Sequence, residues 1–186
     1  MKIFKIEHGQ LAYRLDLIFY ATSPVLLALA ILIHAPLNHR KELLVFVVLG
    51  VISWSLIEYL LHRFILHGVA PFKRWHDEHH QRPMALICLP TAFSIGLIFT
   101  LVFLPGAWLL GAWHAGGLTL GVLMGYAAYS FVHHATHHSQ SQNVWFRKRR
   151  RHHALHHAMH KKNDRAIGHF GVTSNFWDRI FRTLTV

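Results

Sequence analysis

Apolar residues fall in four long stretches, Leu17–Ile33, Leu43–Leu61, Ala85–Leu104 and Trp108–Val132. Glu58 is the one charged residue inside them. A helix needs roughly 20 residues to cross the hydrocarbon core of a bilayer, and each stretch is about that long. Uncharged runs of this length predict membrane-spanning helices rather than buried strands. Arg14 and Asp16 precede the first stretch, and His39, Arg40 and Lys41 follow it. Only Pro105-Gly106-Ala107 separates the third from the fourth, which predicts a tight hairpin turn there. A polar segment, His62–Met84, lies between the second and third, and a polar tail, His133–Val186, follows the fourth. The polar start, Met1–Asp16, has no signal-peptide pattern, so the first run is expected to persist in the mature chain. No repeat of solenoid period is present. The pattern predicts an all-α integral membrane protein with one domain over residues 1–186. Four transmembrane helices carry a histidine-rich helical cap formed by residues 62–84 and 133–186.

Charge orients this arrangement. The chain has 19 Lys and Arg against 8 Asp and Glu, a formal net charge of +11. Basic residues favour the cytoplasmic side of spans, which places the 62–84 linker and the tail, with its run Arg147–Arg151, in the cytoplasm. Four spans put the N-terminus there too, with Lys2, Lys5 and Arg14, and leave the Ala35–Glu42 loop and the Pro105 turn on the far side. Arg40 and Lys41 oppose this orientation but are outnumbered. Long uncharged runs argue against a nucleic-acid binder of similar basicity. Five of the six tryptophans, Trp54, Trp75, Trp108, Trp113 and Trp145, suit an interfacial aromatic belt. The basic run suits anionic lipid headgroups or an acidic redox partner.

Histidine changes the picture most, with 19 in the chain against a single cysteine, Cys88. A disulfide framework and a thiolate metal site are excluded, which leaves imidazole and carboxylate as metal ligands. Residues three and four apart share one face of a helix. His76, His79 and His80 therefore converge, as do His153, His156 and His157, and His133 pairs with His137. His62 and His67 are five apart and need a helix end or a local distortion to converge. Two triplets and two pairs supply up to ten ligands, which suits two ions and exceeds what one can take. Imidazole suits iron and zinc alike. His8, His34, His39, His114 and His160 read as interfacial or solvent-facing, and His169 is assigned no role. His134, His138 and His152 neighbour ligand positions and are candidates to support them. Glu58, one turn before His62, either accepts a hydrogen bond from a ligating imidazole or extends to the interface. Asp77 and Glu78 either orient ligands or solubilise their helix.

The segments Glu58–His67, His76–His80 and His153–His157 resemble the histidine boxes of the fatty acid hydroxylase and sterol desaturase superfamily. Gly125–Tyr129 followed by His133 and His137, and the ending Gly171–Thr183, match as well. The pattern is most similar to the fatty acid 2-hydroxylase branch, although Ser130 stands where that branch often has Asp. The resemblance implies a four-span bundle with a cytosolic cap and a dimetal centre. Its ligands would be His62, His67, His76, His79, His80, His133, His137, His153, His156 and His157. It further implies two iron ions, with zinc as a substitute in purified samples. The implied reaction is O2-dependent hydroxylation or desaturation of a membrane lipid, such as a fatty acyl chain or sterol. Electrons are expected from a separate donor protein, since the chain has no room for a fused haem domain. The competing expectation is a histidine-rich metal transporter or metal-binding membrane protein. Transporters hold their ions near mid-span, whereas these histidines cluster near span ends.

Overall fold

The computed structural model describes residues 7–161 and 168–184, with side chains through residue 158 in the first stretch. His160, Lys2 and Lys5, to which the sequence assigns positions, lie outside the described side chains. The chain divides into two compact units, Met1–Trp54 with Leu86–Ala127 and Ser55–Ala85 with Ala128–Val186.

The first unit contains α1 (Gln10–His34), the start of α2 (Arg40–Leu60), α4 (Thr91–Ile98), α5 (Leu104–Leu110) and the start of α6 (Ala112–His138). Among the described residues, four helical stretches are long and apolar enough to cross a membrane: Gln10–His34, Leu37–Leu66, Thr91–Leu110 and Ala112–His138. Large side chains such as Leu26, Ile33, Leu44, Leu101 and Trp108 stay exposed on them. Apolar surface on this scale is stable against lipid and not against water. The Tyr20 and Ser94 hydroxyls share a hydrogen bond at 2.5 Å, and Thr91 bonds Asp16.

The spans depart from the apolar runs at the third and fourth. Pro105-Gly106-Ala107 is helical, and the break falls at Gly111, with φ 83°. Pro105 occupies the first turn of α5, directly after a π-helical stretch, Phe99–Phe103. A missing N–H costs little at a first turn, whereas a left-handed φ is tolerated by glycine. The third span therefore runs to Leu110, beyond the expected 104.

Three glycines set the packing of α2 on α6. A Cβ on Gly121 would lie 2.1 Å from the Val47 carbonyl oxygen and 2.8 Å from the Gly50 Cα. One on Gly117 would meet the Leu43 carbonyl oxygen at 3.0 Å, and one on Gly125 the Trp54 ring at 2.4 Å. Small residues every fourth position let helix backbones approach closely where lipid offers no hydrophobic drive to association. Trp54 is thereby buried against Gly125 and Tyr126 and does not join an aromatic belt.

The second unit contains the end of α2, a π-helical turn (Leu61–Leu66), α3 (Phe72–Gln81), the end of α6, α7 (Val144–Lys161) and α8 (Phe176–Ile180). Here α3 packs on α7 through their histidine faces. Asp77 pairs with Lys73 at 2.6 Å and Glu78 with Arg82, so both carboxylates serve the outer face of α3.

Gly121→Ala should lower thermal stability in detergent by about 1–3 kcal/mol, the usual cost of overpacking. Gly96→Ala, with nothing within 4 Å of its Cβ, should leave the melting temperature unchanged. Equal melting temperatures for wild type and both variants would refute the close helix crossing.

Candidate metal centre

All ten histidines predicted as ligands belong to the second unit. The π-helical turn explains how His62 and His67 converge. Its hydrogen bonds run from residue i to i+5, which brings residues five apart to one face. The two rings stack with centroids 5.2 Å apart. On α3, burial selects His76, His79 and His80. The last turns of α6 supply His133 and His137, and α7 supplies His153, His156 and His157.

These side chains form two groups, within each of which one ring nitrogen per residue lies within 4.8 Å of all the others. The first is His62, His67, His76, His80 and His156, and the second is His79, His133, His137 and His153. His157 adjoins both, with its Nε2 3.1 Å from Nε2 of His153 and its ring stacked on His80 at 4.1 Å. Each helical triplet is thus divided. From α3, His76 and His80 face one group and His79 the other, while α7 sends His156 to the first and His153 to the second.

Tautomers test whether a cation fits. Nδ1–H of His62 donates to the Phe170 carbonyl, and Nδ1–H of His156 donates to the Gly168 carbonyl at 2.7 Å. Carbonyls only accept, so Nε2 of each neutral ring carries a lone pair. Nε2 of His62 nevertheless faces Nε2 of His76 at 2.9 Å, and Nε2 of His156 faces that of His67 at 3.0 Å. Nε2 of His76 also lies 3.0 Å from that of His80. In the second group, Nε2 of His79 lies 3.1 Å from that of His133, and Nε2 of His137 lies 2.9 Å from that of His153. With metal–nitrogen bonds of about 2.0–2.1 Å, two ligands at right angles on one ion stand roughly 2.9 Å apart. The donor set therefore fits a metal ion in each group. Burial, with neighbouring imidazoles adding to it, pushes His76 and His153 well below the usual histidine range and His79 down to about 3. These rings stay neutral at pH 7, the form that binds metal.

The carbonyls that orient His62 and His156 belong to a loop, residues 168–175, held by two buried carboxylates. Glu58 accepts hydrogen bonds from the backbone N–H of Val172 (2.7 Å) and Thr173 (2.9 Å) and from the Thr173 hydroxyl (2.7 Å). Asp178, fully buried, accepts from the N–H of Phe170 and of Gly171, both at 2.8 Å, and from the Thr183 hydroxyl at 2.7 Å. His152 Nε2 adds a contact to Asp178 at 3.2 Å, and His152 Nδ1 meets His169 Nδ1 at 3.0 Å. Burial alone would raise the Asp178 carboxyl, but the bonds from His152, Thr183, Gly171 and Phe170 hold it below its ordinary range. A cavity of about 260 Å³ opens beside the second group, lined by Pro83, Thr136, Arg150, Ala154 and Ala158 together with His137, His153 and His157.

The sequence model described as fatty acid hydroxylase matches residues 47–183. The chain belongs to the fatty acid hydroxylase family. It is 32% identical over 154 residues to a dihydroceramide fatty acyl 2-hydroxylase of Arabidopsis thaliana, covering 74% of this chain and 60% of that protein. It is 38% identical over 155 residues to a ceramide very long chain fatty acid hydroxylase of Saccharomyces cerevisiae, covering 72% of this chain and 36% of that protein. A solved structure of full-length Scs7p, with only its hydroxylase domain visible, superposes with a TM-score of 0.77 at 25% identity. That superposition covers 94% of this chain and 67% of the other. The relatives place the chain in the 2-hydroxylase branch of the family, as an integral membrane protein.

Several side chains in this hydroxylase-family chain act differently from the sequence expectation. Glu58 is buried and does not extend to an interface; it holds the loop whose Phe170 carbonyl orients His62. His152 joins Asp178, whereas His134 and His138 stack on each other with centroids 4.7 Å apart, outside both groups. His169 is buried with φ 60° against His152. In the basic run, Arg149 is buried and Arg150 donates to the Ser139 and Ser141 carbonyls, leaving Arg147, Lys148 and Arg151 exposed. Asp178 carried no assignment of its own in the sequence. A signal for it existed, since Gly171 must be glycine: a Cβ there would meet the Ser174 carbonyl oxygen at 1.9 Å and Asp178 Oδ2 at 2.9 Å.

Asp178→Ala should loosen the carbonyls behind His62 and His156 and weaken metal binding about 10- to 100-fold, as losses behind a ligand commonly do. Dialysis against graded chelator measures this, and wild-type metal retention in a folded variant would contradict the assigned role.

Proposed function

We propose that this chain hydroxylates the acyl chain of a membrane lipid, and that residues 1–186 act as one hydroxylase domain. The observation that carries the reading is the division of the histidines into two groups whose Nε2 atoms face one another at 2.9–3.1 Å. The first ion would be held by His62, His67, His76, His80 and His156, and the second by His79, His133, His137, His153 and His157. All-nitrogen ligation with two adjacent ions suits iron, and zinc would take the same places. Iron bound there would supply the O2-dependent oxidation of a C–H bond that no side chain can perform.

The chain's own residues supply binding, orientation and exclusion of water. Phe170 and Gly168 carbonyls fix the His62 and His156 tautomers. Pro83, Ala154 and Ala158 give the cavity an apolar wall. At about 260 Å³ it is smaller than typical ligand pockets of ~300–1,000 Å³, so it would admit the reacting end of a chain and not a whole lipid. The names of the relatives, dihydroceramide fatty acyl 2-hydroxylase and ceramide very long chain fatty acid hydroxylase, favour an acyl chain near its carbonyl end as the target. The proposal includes a separate electron donor and cytoplasmic termini, the orientation favoured by the basic tail. A transporter has less support, because the histidines gather at span ends and in α3 and α7.

Expression in a host supplied with iron should yield host lipids that have gained one oxygen atom on an acyl chain, detected by mass spectrometry. His79→Ala and His156→Ala should each abolish the product. Iron-loaded protein that leaves every acyl chain unchanged, with a reductase system present, would contradict the proposal.

A further inference from the structure

A third set of metal-type ligands lies in the first unit. His39 closes the short turn Leu37–His39, Glu42 sits in the first turn of α2, and His114 sits in the first turn of α6. His39 and His114 read as interfacial or solvent-facing in the sequence, yet one ligand atom from each of the three residues lies within 4.8 Å of the others. Both imidazoles address the same carboxylate oxygen. Nε2 of His114 is 2.8 Å from Oε2 of Glu42, and Nδ1 of His39 is 3.4 Å from it.

The tautomer of His114 is set by its other nitrogen. Nδ1–H donates to the Leu110 carbonyl at 2.8 Å, so Nε2 of the neutral ring carries a lone pair. A lone pair aimed at a carboxylate oxygen at that distance requires a positive charge at the contact, either a second proton on His114 or a bound cation. Two features favour a cation. First, a proton-held pair needs one imidazole, and here two meet on one oxygen. Second, the separations match ligand edges: with bonds of about 2.0–2.1 Å, ligands on one ion stand roughly 2.9 Å apart at right angles and roughly 3.4 Å apart at the tetrahedral angle. Phe46 packs against the His114 ring at 4.6 Å, which holds its orientation. The start of α2 favours an ionised Glu42. The neighbouring Arg40 turns away, donating to the Leu32 carbonyl at 3.1 Å.

We propose that His39 Nδ1, Glu42 Oε2 and His114 Nε2 bind a divalent transition-metal cation of the zinc type. The Glu42 side chain is 59% exposed, so water completes the coordination and the ion exchanges with solvent. Three protein ligands with an open fourth position is a familiar zinc arrangement, and imidazole with carboxylate also suits copper and nickel. The site shares no residue with the ten histidines of the metal centre, and its occupancy is independent of lipid oxidation.

The test uses full-length protein purified with a histidine-free tag and loaded with iron. Zn2+ is then titrated by equilibrium dialysis into wild type, Glu42→Gln, and the His39→Ala/His114→Ala double variant. Iron content and thermal unfolding are measured on the same samples, so misfolding or displacement of iron shows itself. Wild type should take up one further Zn2+ equivalent with its iron retained, and both variants should lose that equivalent while keeping iron and melting temperature. Cu2+ in the same place should show nitrogen hyperfine coupling by electron paramagnetic resonance, absent in the double variant. Equal Zn2+ uptake by wild type and folded variants overturns the proposal. No uptake by wild type also overturns it and leaves a protonated His114 as the partner of Glu42.

Discussion

Two buried imidazole nitrogens about 3 Å apart must share a proton or a metal ion, because two facing lone pairs repel. Among the described residues, five such nitrogen pairs lie within the two histidine groups of the second unit. At least two of the rings have their protons committed elsewhere, to the Phe170 and Gly168 carbonyls. Burial makes protonation an expensive remedy, as the depressed pKa values of His76, His79 and His153 indicate. Bound metal ions would take up such lone pairs without protonating a buried ring, and the remainder of the unit keeps the nitrogens at separations that fit ligands on one ion.

Three devices do this. A π-helical turn brings His62 and His67 together, which an α-helix would not. Helices α3 and α7 each divide one triplet between two groups, which couples the two groups through shared backbone. The loop after α7 returns to orient two ligands, and Glu58 and Asp178 hold it by accepting its N–H groups. Each carboxylate is buried and each is satisfied by three or more donors. Buried charge of this kind is costly unless paired, and the nearby Arg149 offsets part of it. The first unit has a different task. Its close glycine crossing substitutes for the hydrophobic drive that lipid removes.

Much of this was legible in the chain. Four spans and the helical class follow from run length, and spacing singled out the ten histidines, but not the division of each triplet between two groups. Hydropathy could not locate the third turn, because Pro105 and Gly106 look like a break while a proline in a first turn is not one. Charge could not separate Arg149 and Arg150, which point inward, from Arg147, Lys148 and Arg151, which do not. Spacing showed that His62 and His67 needed a helix end or a local distortion, but not which; the structure supplies a π-helical turn. Glu58 was visible as an odd charge in an apolar run, yet its partners lie more than a hundred residues away. Contacts that distant leave no periodicity. The Gly117, Gly121 and Gly125 series did leave one, and it marks the face of α6 that meets α2.

The central claim is that the ten histidines form two separate ion sites. Anaerobic loading with ferrous iron, followed by elemental analysis, tests it directly on wild type and two double variants, His80→Ala/His156→Ala and His133→Ala/His137→Ala. The account predicts two ions per chain in wild type and one in each variant, with helical content unchanged. A single ion in wild type, or two ions retained by either variant, would contradict it.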